Sequence, residues 1–197
     1  MPRSATYLAA ALALLPTTVL AHPGMGGSTG LAHGFMHPIG GFDHVLAMVA
    51  VGLFAAHLGG RAIWLVPLAF VGMMALGGAL GVAGIHIPFV ESVIALSIVV
   101  LGAVIAMRLD LAPIVAMALV GFFAIFHGHA HGTEMPETIV GLAYGAGFIL
   151  ATALLHAAGI GIGLLNAKAD QSSNHMSTKV AGSAMALAGV AVLGGVL

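Results

Sequence analysis

Two short stretches of this sequence are rich in histidine and carboxylate side chains. The first reads "HPIGGFDH", residues 37–44, and the second reads "FHGHAHGTE", residues 126–134. Imidazole and carboxylate groups bind Co²⁺, Ni²⁺, Cu²⁺ and Zn²⁺, whereas Mg²⁺ and Ca²⁺ prefer shells made of oxygen alone. The chain has no cysteine, so thiolate metal sites and disulfides are both excluded. The two stretches are therefore candidate ligands for a transition metal.

The second stretch has two structural interpretations. In a helix, His127, His131 and Glu134 are related as i, i+4 and i+7, so they share one face and could bind a divalent metal. His129 would then point elsewhere. In an extended segment, the three histidines alternate onto one side instead. The two glycines among them are compatible with both conformations, and a solvated histidine-rich loop is a further alternative.

The first stretch predicts the start of a helix. Pro38 suits the first helical position, because the N–H that it lacks would be unpaired there. His37 is then expected at the mouth of the helix, with Asp43 and His44 one to two turns deeper and His44 on the same face as His37. Asp43 could bind metal directly or fix the tautomer of the imidazole beside it. The alternative is an aspartate bonded to the helix start and a histidine that anchors the helix at an interface.

The rest of the sequence predicts a membrane protein. Hydrophobic residues make up 60% of the chain and charged residues only 6%, whereas about a quarter of a soluble domain is charged. Apolar segments long enough for the ~30 Å core of a bilayer follow one another. They lie near 39–58, 62–83, 88–107, 111–127, 138–166 and 178–197. We therefore predict an all-α fold, a polytopic bundle of six transmembrane helices that form one domain over 22–197.

The first residues resemble a secretory signal peptide. Arg3 precedes a short apolar stretch, and Val19 and Ala21 fit the −3 and −1 positions of a cleavage site. We predict that residues 1–21 are removed, although an uncleaved first helix is the alternative. The mature chain would begin at His22, whose free amino group and imidazole form a metal chelator. The glycine-rich segment 22–34 is predicted to be flexible and to lie outside.

The basic residues support this orientation. With His22 outside a bacterial inner membrane, every Lys and Arg of the mature chain falls in a cytoplasmic loop, as the positive-inside rule requires. These residues are Arg61, Arg108, Lys168 and Lys179. Both histidine-rich stretches then reach the periplasmic side. The formal net charge of −1, without a basic patch, argues against a nucleic-acid partner.

Three further polar residues are less certain ligands. Glu91, near the outer end of the third span, could complete the metal site or bond to the backbone at the interface. His57 and His156 lie toward the cytoplasmic side and could form an exit site, or they could be two unconnected polar residues inside the bundle. Ionisable side chains inside a membrane are costly, so each of them is a functional candidate.

The two stretches resemble the motifs of the HupE/UreJ family. The form H-x5-D-H is met by His37, Asp43 and His44, and the form F-H-G-x-A/V-H-G-x-E by the stretch that holds His127, His131 and Glu134. The resemblance implies a six-span permease for Ni²⁺, or Co²⁺, that imports the ion for hydrogenase or urease maturation. It also implies a transported ion rather than a tightly bound cofactor, and an indirect hand-off to nickel chaperones.

Two other functions are compatible with the same residues. A membrane-embedded zinc hydrolase could hold Zn²⁺ with two histidines and a carboxylate and keep one position open for water. No second acid–base set is evident for it. A metal sensor or the membrane anchor of a chaperone would need an output domain, and the sequence between the spans is short. We therefore expect a permease and not an enzyme.

Overall fold

The described part of the protein is entirely helical in a computed structural model of the chain. The structure describes residues 29–135, 139–169 and 175–196, and none of these residues lies in a β-strand. The prediction of an all-α fold is confirmed. The predicted signal peptide, its cleavage site and His22 lie outside the described residues.

The described residues form seven helices. In chain order they are α1 (Thr29–Gly40), α2 (Phe42–Leu58), α3 (Ala62–Val82), α4 (Val90–Ala106), α5 (Pro113–Thr133), α6 (Ile139–Ala169) and α7 (Met176–Leu193). Helices α2 to α7 occupy the six positions where spans were predicted. The largest difference is at α5, which continues to Thr133 although the predicted span ended near residue 127.

The length and apolarity of the helices define a membrane protein. Among the described residues, α3, α5, α6 and α7 are long and apolar enough to cross a bilayer, and α1 with α2 make one further, bent candidate. Helix α4 is apolar and has 17 residues, which is about the lower limit for a span. Large apolar side chains face outward from the bundle, among them Trp64, Leu142 and Leu187. Such a surface is expected where helices meet lipid, so the protein is a polytopic helix bundle.

The segment before the first predicted span is helical, and the prediction that it is flexible was wrong for residues 29–34. Helix α1 packs against α6 at Gly34, where an added Cβ atom would overlap the carbonyl group of Tyr144. Gly147 of α6 lies equally close to the carbonyl of Leu31. Small residues let helix backbones approach in this way. Glycine here permits close packing instead of flexibility.

The chain breaks at Gly41 and not at Pro38. Pro38 lies inside α1, whereas Gly41 is extended, with φ −96° and ψ 114°. Helices α1 and α2 meet there at 84°. The prediction that Pro38 begins the first span was therefore wrong, and His37 and His44 lie on different helices instead of on one helix face. The extended glycine interrupts the helical hydrogen bonds between them.

Helices α3 and α5 pack backbone against backbone. The contacts join Gly77 to the carbonyl of Ile125, Gly81 to that of His129, Gly128 to that of Met74 and Gly132 to that of Gly78. A Cβ atom at any of these four glycines would come closer to the opposite backbone than Cβ atoms approach in proteins. The two glycines in "FHGHAHGTE" thus hold α5 against α3 while α5 remains helical beyond residue 127.

Two other helix pairs use paired glycines. Gly52 of α2 meets Gly159 of α6, and Gly102 of α4 meets Gly182 of α7. The small-residue spacing in the sequence predicted close packing of this kind. These contacts bring the backbones of α2 and α6, and those of α4 and α7, close together.

The basic side chains of the described residues lie at the end of the bundle away from both histidine-rich stretches, called here the basic end. They are Arg61, Arg108, Lys168 and Lys179. A pocket of about 80 Å³ at this end is lined by His57, Arg108, Ala167, His175 and Thr178, among others. Lys168 and Lys179 each directly follow a residue of this lining, and Arg61 follows His57 by four residues, just after the end of α2. Their shared position agrees with the asymmetry of charge read from the sequence.

Substitution of Gly128 by Ala tests the packing of α3 against α5. The methyl group would overlap the carbonyl group of Met74, and such overpacking costs about 1–3 kcal/mol of folding free energy. We expect a lower midpoint of thermal unfolding for the purified protein in detergent. Gly72→Ala is the matched control, because a Cβ atom at Gly72 meets nothing within 4 Å. Equal midpoints for the two variants would contradict the packing described.

Candidate metal site

Helix α5 presents its polar side chains in different directions. The stretch is helical through Thr133, so the helical interpretation of it is confirmed. His127 and His131 lie one turn apart and contact His44 of α2, with ring centroids 5.0 and 4.3 Å from that imidazole. Nε2 of His129 instead donates to the carbonyl oxygen of Ile85 at 2.6 Å, in the loop after α3. Gly128 and Gly132 face α3.

Three of the predicted ligands form a group that extends from the buried His131 to the exposed Glu134, called here the mouth group. Nε2 of His37 lies 3.0 Å from Oε2 of Glu134, and Nδ1 of His131 lies 3.9 Å from the same oxygen. One ligand atom from each residue lies within 4.8 Å of the other two. Two imidazoles and a carboxylate at this spacing can surround one divalent transition metal ion.

Two further imidazoles lie deeper and are called here the buried pair. They belong to His44 and His127, which are 8% and 0% exposed. The ring of His131 connects the two sets of side chains, because its centroid is 4.9 Å from that of His37 and 4.3 Å from that of His44. The mouth group and the buried pair therefore form one continuous cluster.

Asp43 orients His44. Oδ1 of Asp43 lies 3.1 Å from Nδ1 of His44, and since a carboxylate accepts, the proton of this bond is on Nδ1. Nε2 of His44 then carries the lone pair, and it has no hydrogen-bond partner among the described residues. The structure thus places Asp43 beside the imidazole in the manner of a residue that fixes its tautomer. Its position in the first turn of α2 also suits a negative charge.

Ser97 of α4 orients His127 in the same way. The Ser97 hydroxyl donates to the carbonyl oxygen of Ile94 at 2.6 Å, so it accepts from Nε2 of His127 at 3.1 Å. This bond leaves the lone pair of His127 on Nδ1, which has no partner among the described residues. Each imidazole of the buried pair therefore uses one nitrogen for orientation and keeps the other available to a metal.

The cluster opens into a cleft of about 510 Å³. The predicted site residues that line it are His37, Asp43, His44, Glu91, His131 and Glu134. Glu134 is 58% exposed by side chain and His37 31%, whereas the buried pair is nearly inaccessible. Glu91 is exposed in the first turn of α4, on the wall of the same cleft. The site is thus open at the mouth group and closed at the buried pair.

Three less certain candidates lie away from this cluster. His129 is held by the Ile85 carbonyl, as described above. His57 is at the basic end, where its Nε2 lies 3.3 Å from Oδ1 of Asp110. His156 is 2% exposed inside the bundle, and unlike His57 it does not line the pocket at the basic end. The structure therefore does not join His57 and His156 into one exit pocket.

Sequence reasoning missed several residues of the site. Ser97 is 30 residues from His127 in the chain, and one serine in an apolar helix gives no local signal. Tyr144 packs edge-on against His37, with 5.7 Å between ring centroids. Gly41 leaves room for the hydrogen bond between Asp43 and His44, because a Cβ atom there would lie 3.0 Å from Oδ1 of Asp43 and 3.2 Å from Nδ1 of His44. The double glycine in "HPIGGFDH" was the available signal for this last contact.

Fold and site together define a class, a multi-pass membrane protein with a histidine- and carboxylate-lined cleft at one end of its helix bundle. The family described as "HupE / UreJ protein" matches residues 10–192 of the chain. The chain therefore belongs to the HupE/UreJ family. This confirms the resemblance seen in the two motifs, and it gives the chain a general accessory role connected with nickel or cobalt transport.

A curated relative is similar over almost the whole chain. Protein HupE of Rhizobium leguminosarum bv. viciae is 48% identical over 191 residues, which cover 96% of this chain and 97% of that protein. No solved structure is significantly similar. The similarity spans all seven helices, so both histidine-rich stretches lie within the matched region.

Substitution of Ser97 by Ala tests its role in orienting His127. Loss of the hydroxyl removes the acceptor for Nε2–H and frees the ring to rotate or to change tautomer. Removal of such an orienting group lowers metal affinity by about 10–100-fold, so we expect weaker equilibrium binding of Ni²⁺ to the purified protein. Ser92→Ala, at an exposed position of the same helix, is the control. The same affinity in both variants would show that Ser97 does not orient a ligand.

Proposed function

We propose that this protein is a permease that imports a divalent transition-metal ion, Ni²⁺ or else Co²⁺, from the periplasm into the cytoplasm. The observation that supports this most directly is the convergence of ligand atoms from His37, His131 and Glu134 within 4.8 Å, at the wall of an open cleft. Family membership supports the choice of metal. The proposed ligands are His37, His44, His127, His131 and Glu134, with Asp43 orienting His44 and Glu91 beside them in the cleft.

The arrangement suggests two successive binding positions. Glu134 is the exposed carboxylate of the mouth group, so it would attract a hydrated cation, and His37 and His131 would replace part of the hydration shell. Since His131 also contacts His44, an ion could exchange from the mouth group to the buried pair without leaving imidazole ligands. Transport requires binding strong enough for entry and weak enough for release. Neutral imidazoles in the deeper position satisfy the second requirement better than carboxylates would.

The distribution of basic residues supports the direction. If the basic end is cytoplasmic, as the positive-inside rule indicates, the cleft opens to the periplasm of a bacterial inner membrane. An inside-negative potential would then favour entry of a divalent ion by about 4.6 kcal/mol per 100 mV, which is twice the figure for a single charge. In this proposal residues 1–21 are a cleaved signal peptide, and 22–197 form one transport domain that supplies nickel for hydrogenase or urease maturation.

Uptake of radiolabelled Ni²⁺ by cells tests the proposal directly. We expect uptake to depend on the wild-type protein and to fall at least about 10-fold in His44→Ala and in His131→Ala, because each loses a ligand. Membrane levels are matched between strains, and excess Co²⁺, Zn²⁺ or Cu²⁺ is added in parallel to rank the metals. His86→Ala is the control, since His86 is exposed in the loop between α3 and α4 and lines none of the pockets described above.

Two results would contradict the permease proposal. One is that wild-type cells accumulate no more nickel than cells without the protein, and bound zinc and hydrolysis by the purified protein then become the next measurements. The other is that His86→Ala reduces uptake as strongly as the two cleft variants. That result would mean that loss of a histidine at this surface lowers uptake whether or not the residue belongs to the cluster.

The pH dependence of uptake provides a second test. Protons compete with metal ions for imidazole nitrogens, and imidazole is the side chain whose charge ordinarily changes between about pH 5 and 8. Stronger protonation lowers the concentration of the binding form, so we expect initial uptake rates to fall as the external pH drops below about 6.5. A rate that stays constant from about pH 7.5 to about 5.5 at fixed membrane potential would argue against histidine ligands.

A further inference from the structure

Outside the candidate metal site, the bundle contains a buried imidazole without a partner. His156 of α6 is 2% exposed, and neither of its ring nitrogens has a hydrogen-bond partner among the described residues. A buried polar group that lacks a partner costs about 1–3 kcal/mol. Thr152, one turn earlier on α6, shows the usual alternative, because its hydroxyl points to the sulfur of Met74 at 3.9 Å. Burial of the His156 imidazole therefore lowers the stability of the fold, and no hydrogen bond from the described residues compensates for it.

His156 lies next to the buried pair. The ring of Phe70 contacts the imidazole of His127, at 5.6 Å between centroids, and also that of His156, at 5.1 Å. His156 and the deepest proposed ligand of the cluster thus share an aromatic neighbour. The available nitrogen of His127 and both nitrogens of His156 lie in the same apolar interior.

The position of His156 along the bundle follows from its contact with α2. Its carbonyl group meets Gly52 of α2, which is eight residues after His44 and five before His57 in the chain. At 1.5 Å per residue, these separations are about 12 Å and about 7.5 Å along the helix. His156 therefore lies between the buried pair and the basic end, where His57 is 3.3 Å from Asp110.

We propose that His156 is a transit ligand, a further binding position for the transported divalent cation between the buried pair and the basic end. This inference rests on the proposed function. An ion that leaves His127 would take a lone pair of His156 in its place, and it would next reach His57 and Asp110. The step is a ligand exchange in which no electron is transferred and no covalent bond changes. A single neutral ligand at this depth holds the ion weakly, as passage requires.

The test compares nickel uptake by cells with nickel binding by the purified full chain. We expect His156→Leu to lower uptake at least about 10-fold while the dissociation constant of the tightest nickel site stays within about twofold of the wild-type value. Thr152→Val is the matched control, because it removes a buried polar group from the same helix without removing an imidazole. We expect this control to transport within about twofold of the wild-type rate.

A second variant separates transit from packing. His156→Gln keeps a polar side chain of similar length but is a poor ligand for a transition metal, so its uptake should fall as it does for His156→Leu. Wild-type uptake in His156→Gln would overturn the inference, whether or not the leucine variant folds. Reduced uptake in Thr152→Val would overturn it as well. Failure of the proposed function has a different signature, namely a wild-type protein that takes up no nickel.

Discussion

The backbone contact between α3 and α5 is the constraint on which the candidate site depends. Gly128 and Gly132 lie against carbonyl groups of α3, which fixes the rotation of α5 about its own axis. His127 and His131 each precede one of these glycines, and successive residues of a helix differ by about 100° in direction. The packing of one face therefore determines that both imidazoles point toward α2.

Charged and neutral side chains of the site also lie at different depths in the bundle. Its exposed members include the carboxylate of Glu134, whereas the buried pair consists of imidazoles that are oriented by Asp43 and Ser97. Burial of an unpaired charge is far more costly than burial of a neutral group that keeps one hydrogen bond. This difference in cost explains why neutral imidazoles occupy the interior, and why each of them has a neighbour that fixes the position of its proton.

Much of the fold and the core of the site follow from the sequence. Apolar segments locate the helices from α2 to α7, and the i, i+4 relation between His127 and His131 predicts their shared face because the helix period is regular. The bend was not predictable in this way, since Pro38 is compatible both with the start of a helix and with the last turn of one. Ser97 was missed because its contact with His127 joins two distant parts of the chain. The surroundings of His156 were not predictable for the same reason, because its contacts with Phe70 and Gly52 also join distant parts of the chain.

The bend at Gly41 has a consequence for the way a bound ion would connect the chain. It places His37 on α1, which is packed against α6 at Gly34 and Gly147, whereas His131 and Glu134 come from α5 and the residue that follows it. An ion held by these three side chains would therefore crosslink two helices that are far apart in the sequence, and its release would remove that crosslink without changing the packing of either helix.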